Sequence, residues 1–413
     1  MASFRDLISP IASRLWNGET KSSVIGSDAI WRDILGAGNS KSGQIVNVNT
    51  ALSVTTVLCC ARVRAEGLAQ VPCRVYQATE GGGRREAIEH PLYRLLYRRP
   101  NDTQTSFEFR EQIGFHLALC GNAYVYKSFG SDGRLIELLP YEPGCVTVRR
   151  GNNYEIAYSL RLANGTTVDV PQSNMWHIRG ASWNGYMGMA AIEMARNAVG
   201  MALAAEEFGS ELFANGARPS GILSTDSTIQ PEAAAMIKAS WDEAQTGSGN
   251  RLKTAMLQGG LKWQSIAQTA DEAQFIEARK FQVVEICRSM RVLPIMAMHQ
   301  DGTAAYASIE QMFLAHNTHT LGPDFERFEQ SAEVNLLSEK DQREGYYVEL
   351  VESNLARGTL KDRAEVAAMA VQNGAAYRNE FRDAIDLPRV DDVDANRFIP
   401  SVNLYGPVTV EEA

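Results

Sequence analysis

His316 and His319 stand three apart, a spacing at which one helix face could offer two ligands to a metal ion. No third ligand stands close by: Glu310 falls on another part of the same helix, and Asp324 comes after Pro323. His116 and Cys120 stand four apart and could pair as base and nucleophile, but Phe115, Leu117, Ala118 and Leu119 around them read as core. The stretch Gly36-Ala37-Gly38-Asn39-Ser40-Lys41-Ser42 looks superficially like a phosphate loop, yet that loop needs glycine directly before the lysine and Ser40 stands there. The carboxylate pairs Glu206-Glu207 and Asp391-Asp392 are adjacent in sequence and do not converge on one substrate. None of the G-x-S-x-G, H-E-x-x-H or G-x-G-x-x-G patterns is found. The expectation is a protein that is not an enzyme, with no cofactor and no metal.

Two features remain. The six cysteines form no C-x-x-C pair, and the adjacent Cys59 and Cys60 point to different sides of a helix, so reduced packing residues are expected. Arg279, Lys280, Arg288 and Arg291 gather on one predicted helix. They suit a solvated face, ion pairs between subunits, or contact with DNA or an acidic neighbour.

A chain of 413 residues with 45% hydrophobic and 22% charged content is long enough for two or three domains with sizeable cores. Net charge is −9 and the pI about 5.4, which argues against tight static binding to DNA, where clustered cations neutralise phosphates. It does not argue against a surface along which DNA slides. No apolar run reaches the roughly 18 residues of a membrane span. The first residues lack a signal core, so no membrane association and assembly in the cytosol are expected.

The elements that must position these residues follow from periodicity. Residues 1–45 alternate short apolar patches (Ile30, Trp31, Ile34, Leu35) with Gly, Ser and Asn and read as a weakly ordered arm able to dock on a neighbour. A helix is predicted over 50–69, capped by Asn49 or Thr50, then a strand over 71–77, and helices over 90–98 and 106–120. From 122 to 178 the period becomes two, with Asp132-Gly133 and Asn164-Gly165 as hairpin turns and separate runs at 154–162 and 166–170. A long helix is predicted over 189–215, with the seam Met194, Ala198, Met201, Ala205, Phe208 and Leu212. A compact insertion follows (strand 221–224, helix from Pro231 to about 244, strands 254–257 and 261–266). A second helix over 270–291 carries Ile276, Val283, Ile286, Cys287 and Met290. Beyond Pro294 and a small-residue loop, a helix over 306–337 has the seam Ile309, Phe313, Leu321, Phe325, Phe328, Ala332 and Leu336. A kink is predicted at Gly322-Pro323, where proline removes a donor. A strand over 346–352 is predicted to return to the 122–178 β region, and 360–385 is helical with a break at Asn373-Gly374.

This order of parts resembles the portal protein of tailed bacteriophages, of the siphophage type. Glu277-Ala278-Arg279-Lys280-Phe281, Glu285-Ile286-Cys287-Arg288 and Val292-Leu293-Pro294 look like that family's second stem helix. Tyr306-Ala307-Ser308-Ile309-Glu310-Gln311 and Thr320-Leu321-Gly322-Pro323 look like its kinked helix, and Arg363-Ala364-Glu365 with Asn379-Glu380-Phe381-Arg382 its crown. The likeness runs from about 48 to 405 and is most specific over 275–337. The pattern departs at Met296-Ala297-Met298-His299, which intervenes where the family has a short loop with Gly and Asp.

The resemblance implies an α+β portal fold: β-rich wing, two-helix stem, small α/β clip, long kinked helix and short helical crown. Its divisions would be a flexible arm 1–45, wing 46–186, stem helix one 187–216, clip 217–267, stem helix two 268–293, tunnel loop 294–308, kinked helix and returning wing strand 309–358, crown 359–390 and tail 391–413. It further implies a homo-oligomeric ring of roughly twelve copies, placed at one capsid vertex of a virion and assembled in host cytoplasm. The expected partners are double-stranded DNA (bound transiently and without sequence preference), the major capsid protein, the terminase large subunit and a head-tail adaptor. His299, Gln300, Asp301, Gly302, Thr303, Ala304 and Ala305 would form the loop that projects into the DNA channel. A packaging nuclease or ATPase would need a phosphate loop or an acidic metal cluster. An adaptor ring would be shorter, without two helices bracketing an insertion.

Overall fold

The computed structural model describes residues 38–79, 82–151, 153–214, 221–224, 230, 235–236, 262–265, 271–299, 306–352 and 360–397. The chain forms two compact units, Met1–Glu349 and Leu350–Ala413.

The first unit opens with a hairpin of β1 (Gly38–Asn39) and β2 (Ile45–Val46). The end of the expected arm is therefore a structured element. The helix predicted from residue 50 is in fact two, α1 (Val48–Ser53) and α2 (Thr55–Gln70). Its cap is Asn47 and not Asn49 or Thr50: Asn47 Oδ1 accepts from the Thr50 amide at 2.8 Å, and Thr50 Oγ1 accepts from the Asn47 amide at 2.9 Å. Val54, held in extended backbone (φ −76, ψ 112), separates the two helices.

A sheet follows with β3 (Cys73–Ala78) between β4 (Arg84–Glu86) and the late strand β13 (Tyr346–Leu350). The returning strand thus pairs with β3, outside the 122–178 region where periodicity had sent it, because strand pairing is a long-range choice. The short helix α3 (Pro91–Tyr93) runs into a π turn, Arg94–Arg98, and α4 (Ser106–Cys120) starts from a Thr105/Glu108 capping box. Helices α2 and α4 pack closely because Gly114 has no side chain: a Cβ there would lie 2.6 Å from Ala65 Cα.

The alternating region forms two antiparallel sheets. In one, β5 (Asn122–Phe129) lies between β6 (Leu135–Tyr141) and β10 (Met175–Arg179). In the other, β8 (Ile156–Arg161) lies between β7 (Val146–Arg150) and β9 (Thr167–Val170). Gly133 and Gly165 take positive φ in the two predicted turns. Tyr154 is left-handed (φ 63), so β8 begins two residues later than predicted. Tyr124, Tyr126, Val146, Tyr158, Leu160, Val170 and Met175 form the core of this region.

The predicted 189–215 helix is interrupted at Ala195 (ψ 9), giving α5 (Ala191–Met194) and α6 (Arg196–Ala214). Strands β11 (Gly221–Ser224) and β12 (Lys262–Ser265) pair antiparallel, and α7 (Asp271–Ser289) follows. Of the predicted insertion helix only residues 235–236 are described, and they are helical; the strand predicted over 254–257 lies outside the described residues. Next come α8 (Tyr306–His316), a π turn (Asn317–Leu321), α9 (Gly322–Leu336) and α10 (Glu339–Arg343). The main core gathers Val57, Cys60, Ala61, Ile192, Val199, Ile286, Cys287 and Met290. There the Cys60 and Cys287 sulfurs lie 3.7 Å apart as free thiols.

In the second unit α11 (Leu360–Gln372) and α12 (Arg378–Ala384) are separated by a turn at Gly374 (φ 71), as the Asn373-Gly374 break predicted. Buried Asn379 fastens the chain after α12. It donates to the Val390 carbonyl and Asn396 Oδ1 and accepts from the Val390 amide.

Candidate functional site: the helix pair and the kinked helix

Helices α6 and α7 are the two legs of the insertion. Phe208 of α6 meets Phe275 of α7 edge to face, with ring centroids 5.6 Å apart. A Cβ at Gly209 would make only ordinary contact with the Phe275 ring, at 3.6 Å, so the approach does not depend on that glycine. At one end the legs enter the main core; at the other, β11 and β12 join them.

The faces they bury differ from the predicted seam. Within the chain α6 uses Val199, with Ala198, Ala202 and Leu203 beside it. The large apolar residues of the seam stay in water: Met194 is 66% exposed, Met201 49% and Phe208 54%. On α7, Ile286, Cys287 and Met290 are buried as expected, whereas Ile276 and Phe281 are each 57% exposed. The heptad-like spacing was real, but small residues on the neighbouring face take the intrachain contact. Large apolar side chains left out on adjoining helices mark a surface meant to be covered.

Of the basic group, Arg279 and Lys280 are exposed, and Arg288 pairs with Glu285 on its own helix. Arg291 is committed to structure. It turns left-handed after α7 (φ 55), and its guanidinium donates to the His319 carbonyl at 2.7 Å. Its own carbonyl accepts from Thr320 Oγ1 at 2.8 Å. The need for this contact lies in Pro323. Proline has no N–H to donate to the carbonyl four residues back, which is that of His319, and Arg291 supplies the missing donor.

Gly322-Pro323 are the first residues of α9. The helical irregularity extends ahead of them through a full π turn, in which the Gly322 amide reaches back to the Asn317 carbonyl. Below it, Leu321 fills a notch at Gly67, where a Cβ would come within 2.7 Å of Leu321 Cδ2. Asp324 Oδ2 accepts from Arg64 Nη2 at 2.6 Å and Nε at 3.1 Å, while its Oδ1 accepts from Arg327 at 3.0 Å. Further along α9, Phe325, Phe328 and Ala332 are buried as the seam predicted, but Phe313 on α8 is exposed. Trp176 Nε1 donates to Ser331 Oγ at 2.8 Å and Lys127 Nζ to the Asn335 carbonyl at 2.7 Å. Sequence reasoning missed Arg64–Asp324, whose partners are 260 positions apart; the helix carries both Arg62 and Arg64, and nothing local marks Arg64 as the buried one.

The residues first considered for chemistry are not brought together. His316 is buried, and burial together with the Arg64 charge holds its pKa down. His319, by contrast, is exposed. Burial pushes the His116 imidazole down to about 4 and the Cys120 thiol up to about 12, the reverse of what an imidazolium–thiolate pair requires. Among the described residues no group of three or more His, Cys, Asp or Glu could hold a metal ion, and no helix is long and apolar enough to cross a membrane. Of the seven predicted channel-facing residues, 299–305, only His299 is described; its amide donates to the Pro294 carbonyl at 3.0 Å. Gln300, Asp301, Gly302, Thr303, Ala304 and Ala305 lie outside the described residues.

The chain superposes on solved components of phage and gene transfer agent particles. A crystal structure of an HK97-family phage portal protein from Corynebacterium diphtheriae superposes with a TM-score of 0.56 at 15% identity, covering 76% of this chain and 98% of that one. The neck of a native gene transfer agent particle, computed with C12 symmetry, gives a TM-score of 0.53 at 19% identity, covering 88% and 100%. In sequence, the probable portal protein of Streptomyces phage phiC31 is 28% identical over 375 residues, 88% of this chain and 81% of the relative. The portal protein of Enterobacteria phage HK97 is 28% identical over 346 residues, 83% and 81%. The model of the phage portal protein family matches residues 55–386, and the chain belongs to that family. Its role is structural, that of a capsid portal or connector subunit.

Proposed function

We propose that twelve copies of this chain close into a ring at one capsid vertex, through which double-stranded DNA enters during packaging and leaves on ejection. The apolar residues left in water on α7 and α8 (Ile276, Phe281, Phe313) carry the reading, because a ring of heterologous contacts would cover them. The twelve-fold symmetry of the gene transfer agent neck supports the number.

In this reading α6 and α7 form the stem (187–216 and 268–293) and 217–267 the clip that meets the terminase large subunit and later a head-tail adaptor. The 46–186 wing lies against the major capsid protein; 309–358 is the kinked helix and returning wing strand, 359–390 the crown and 391–413 the tail. Assembly takes place in host cytoplasm and the product resides in the virion. The 294–308 loop, through His299, Gln300, Asp301, Gly302, Thr303, Ala304 and Ala305, touches passing DNA. Small polar residues there contact phosphates without holding them. Arg279 and Lys280 are the exposed cations available to DNA or a neighbouring subunit; Arg288 and Arg291 are engaged within the chain.

Native mass spectrometry with negative-stain imaging tests the assembly. Closed rings of about twelve subunits with a central hole are expected. A monomer that hydrolysed ATP or cut DNA would overturn the reading.

A further inference from the structure

We infer that residues 27–36 of the N-terminal arm dock on the exposed Met201–Phe208 stripe of α6 in the same chain. The stripe is the first half of the argument. With 3.6 residues per turn, Met201 and Phe208 lie about 20° apart on α6, almost opposite the buried Val199. Methionine and phenylalanine half in water on a helix that enters the core around Val199 make an adaptable apolar surface.

The second half is where the described chain begins. The β1–β2 hairpin sits on the strip of α6 beside this stripe. The Lys41 amide donates to Asn197 Oδ1 at 3.1 Å and Gln44 Nε2 to Glu207 Oε2 at 2.6 Å. Gly200 receives Ser40 so closely that a Cβ would meet its side chain at 2.3 Å. On the helical wheel Asn197 and Met201 are about 40° apart, so the arm joins the hairpin next to the uncovered residues.

The sequence just before Gly38 has the matching chemistry. Ile30, Trp31, Ile34 and Leu35 follow i, i+1, i+4, i+5 spacing, with Ser27 placed as a cap and Gly36 as a stop. Leu35 is three residues from Gly38, within about 10 Å of it, and Ile30 is eight residues away, within about 28 Å. The stripe from Met201 to Phe208 is about 10 Å long, so the tether spans it with chain to spare. A segment tethered this closely reaches the stripe at an effective concentration near the millimolar range, before any second copy arrives.

The test places photoreactive benzoylphenylalanine at Met201 of the full-length chain, irradiates it, and identifies the cross-linked peptides by mass spectrometry. A cross-link to residues 27–36 that runs on a denaturing gel at the mass of one chain is expected. Changing Trp31 and Ile34 to serine should lower its yield by about tenfold or more while the circular dichroism spectrum is unchanged. A product at the mass of two chains, a cross-link to any other segment, or no cross-link at all overturns the inference. Native mass spectrometry of the same serine variant reads ring assembly separately, so a failure of the ring reading is told apart from a failure of this one.

Discussion

Replacing Asp324 by asparagine should loosen the start of α9, where Arg64 and Arg327 both hold its carboxylate. The Asp324 side chain is 8% exposed and Arg64 16%, so solvent screens this pair little. Asp324 is also the acceptor for Arg327. The variant leaves two guanidinium groups facing a neutral amide beside buried His316, whose pKa already lies low from burial and the Arg64 charge. Breaking one partner of a buried pair costs about 3 kcal/mol, mainly through the cation left behind. In a unit of this size that lowers the melting midpoint by roughly 5 °C. Scanning calorimetry or urea unfolding of unassembled subunit at pH 7 measures the loss. The companion variant, Arg64→Leu with Asp324→Leu, removes both charges and should recover most of the stability, because two apolar side chains replace a desolvated pair. If Asp324→Asn lies within about 0.5 kcal/mol of the parent, or the double variant is no better than the single, the electrostatic account of this junction is wrong.

The remaining expectations follow from the same geometry. Gly121→Ala should abolish soluble folded protein: Gly121 has φ +67 and a Cβ there would sit 2.1 Å from the Met189 carbonyl oxygen, whereas Gly165→Ala, at φ +82 with open space around it, should cost only about 1 kcal/mol. Stability should fall as pH drops from 6.5 toward 4, because burial holds His177 at about 3 and His116 at about 4. In that range the unfolded chain binds protons that the native state refuses. Each histidine then contributes a loss of up to roughly 3 kcal/mol, and His116→Leu should flatten the slope of urea midpoint against pH. Deleting residues 300–304 should leave rings intact by native mass spectrometry but impair DNA packaging or retention; loss of the ring would make that loop an assembly element instead.

Much of this protein was legible from local pattern. The period-two stretch, the Asp132-Gly133 and Asn164-Gly165 turns, the α4 boundaries and the Phe325-Phe328-Ala332 seam depend on interactions spanning a few residues, and the structure reproduces them. The order of parts and the motifs around 275–337 were enough to suggest the family, because they are carried by contiguous residues.

Other features had to wait for tertiary contacts. Periodicity told that α6 has an apolar stripe, but not which stripe the chain itself would bury. Close helix packing preferred the small side chains around Val199 and left Met201 and Phe208 outside. The β13 strand was visible as a strand, while its place beside β3 depends on a pairing across more than 250 residues. Pro323 announced a kink, yet the repair of the His319 carbonyl by Arg291 and the grip of Arg64 on Asp324 join groups far apart in sequence. Local chemistry thus determined which elements form and where they end. Which faces meet was decided only when distant side chains competed for the same core.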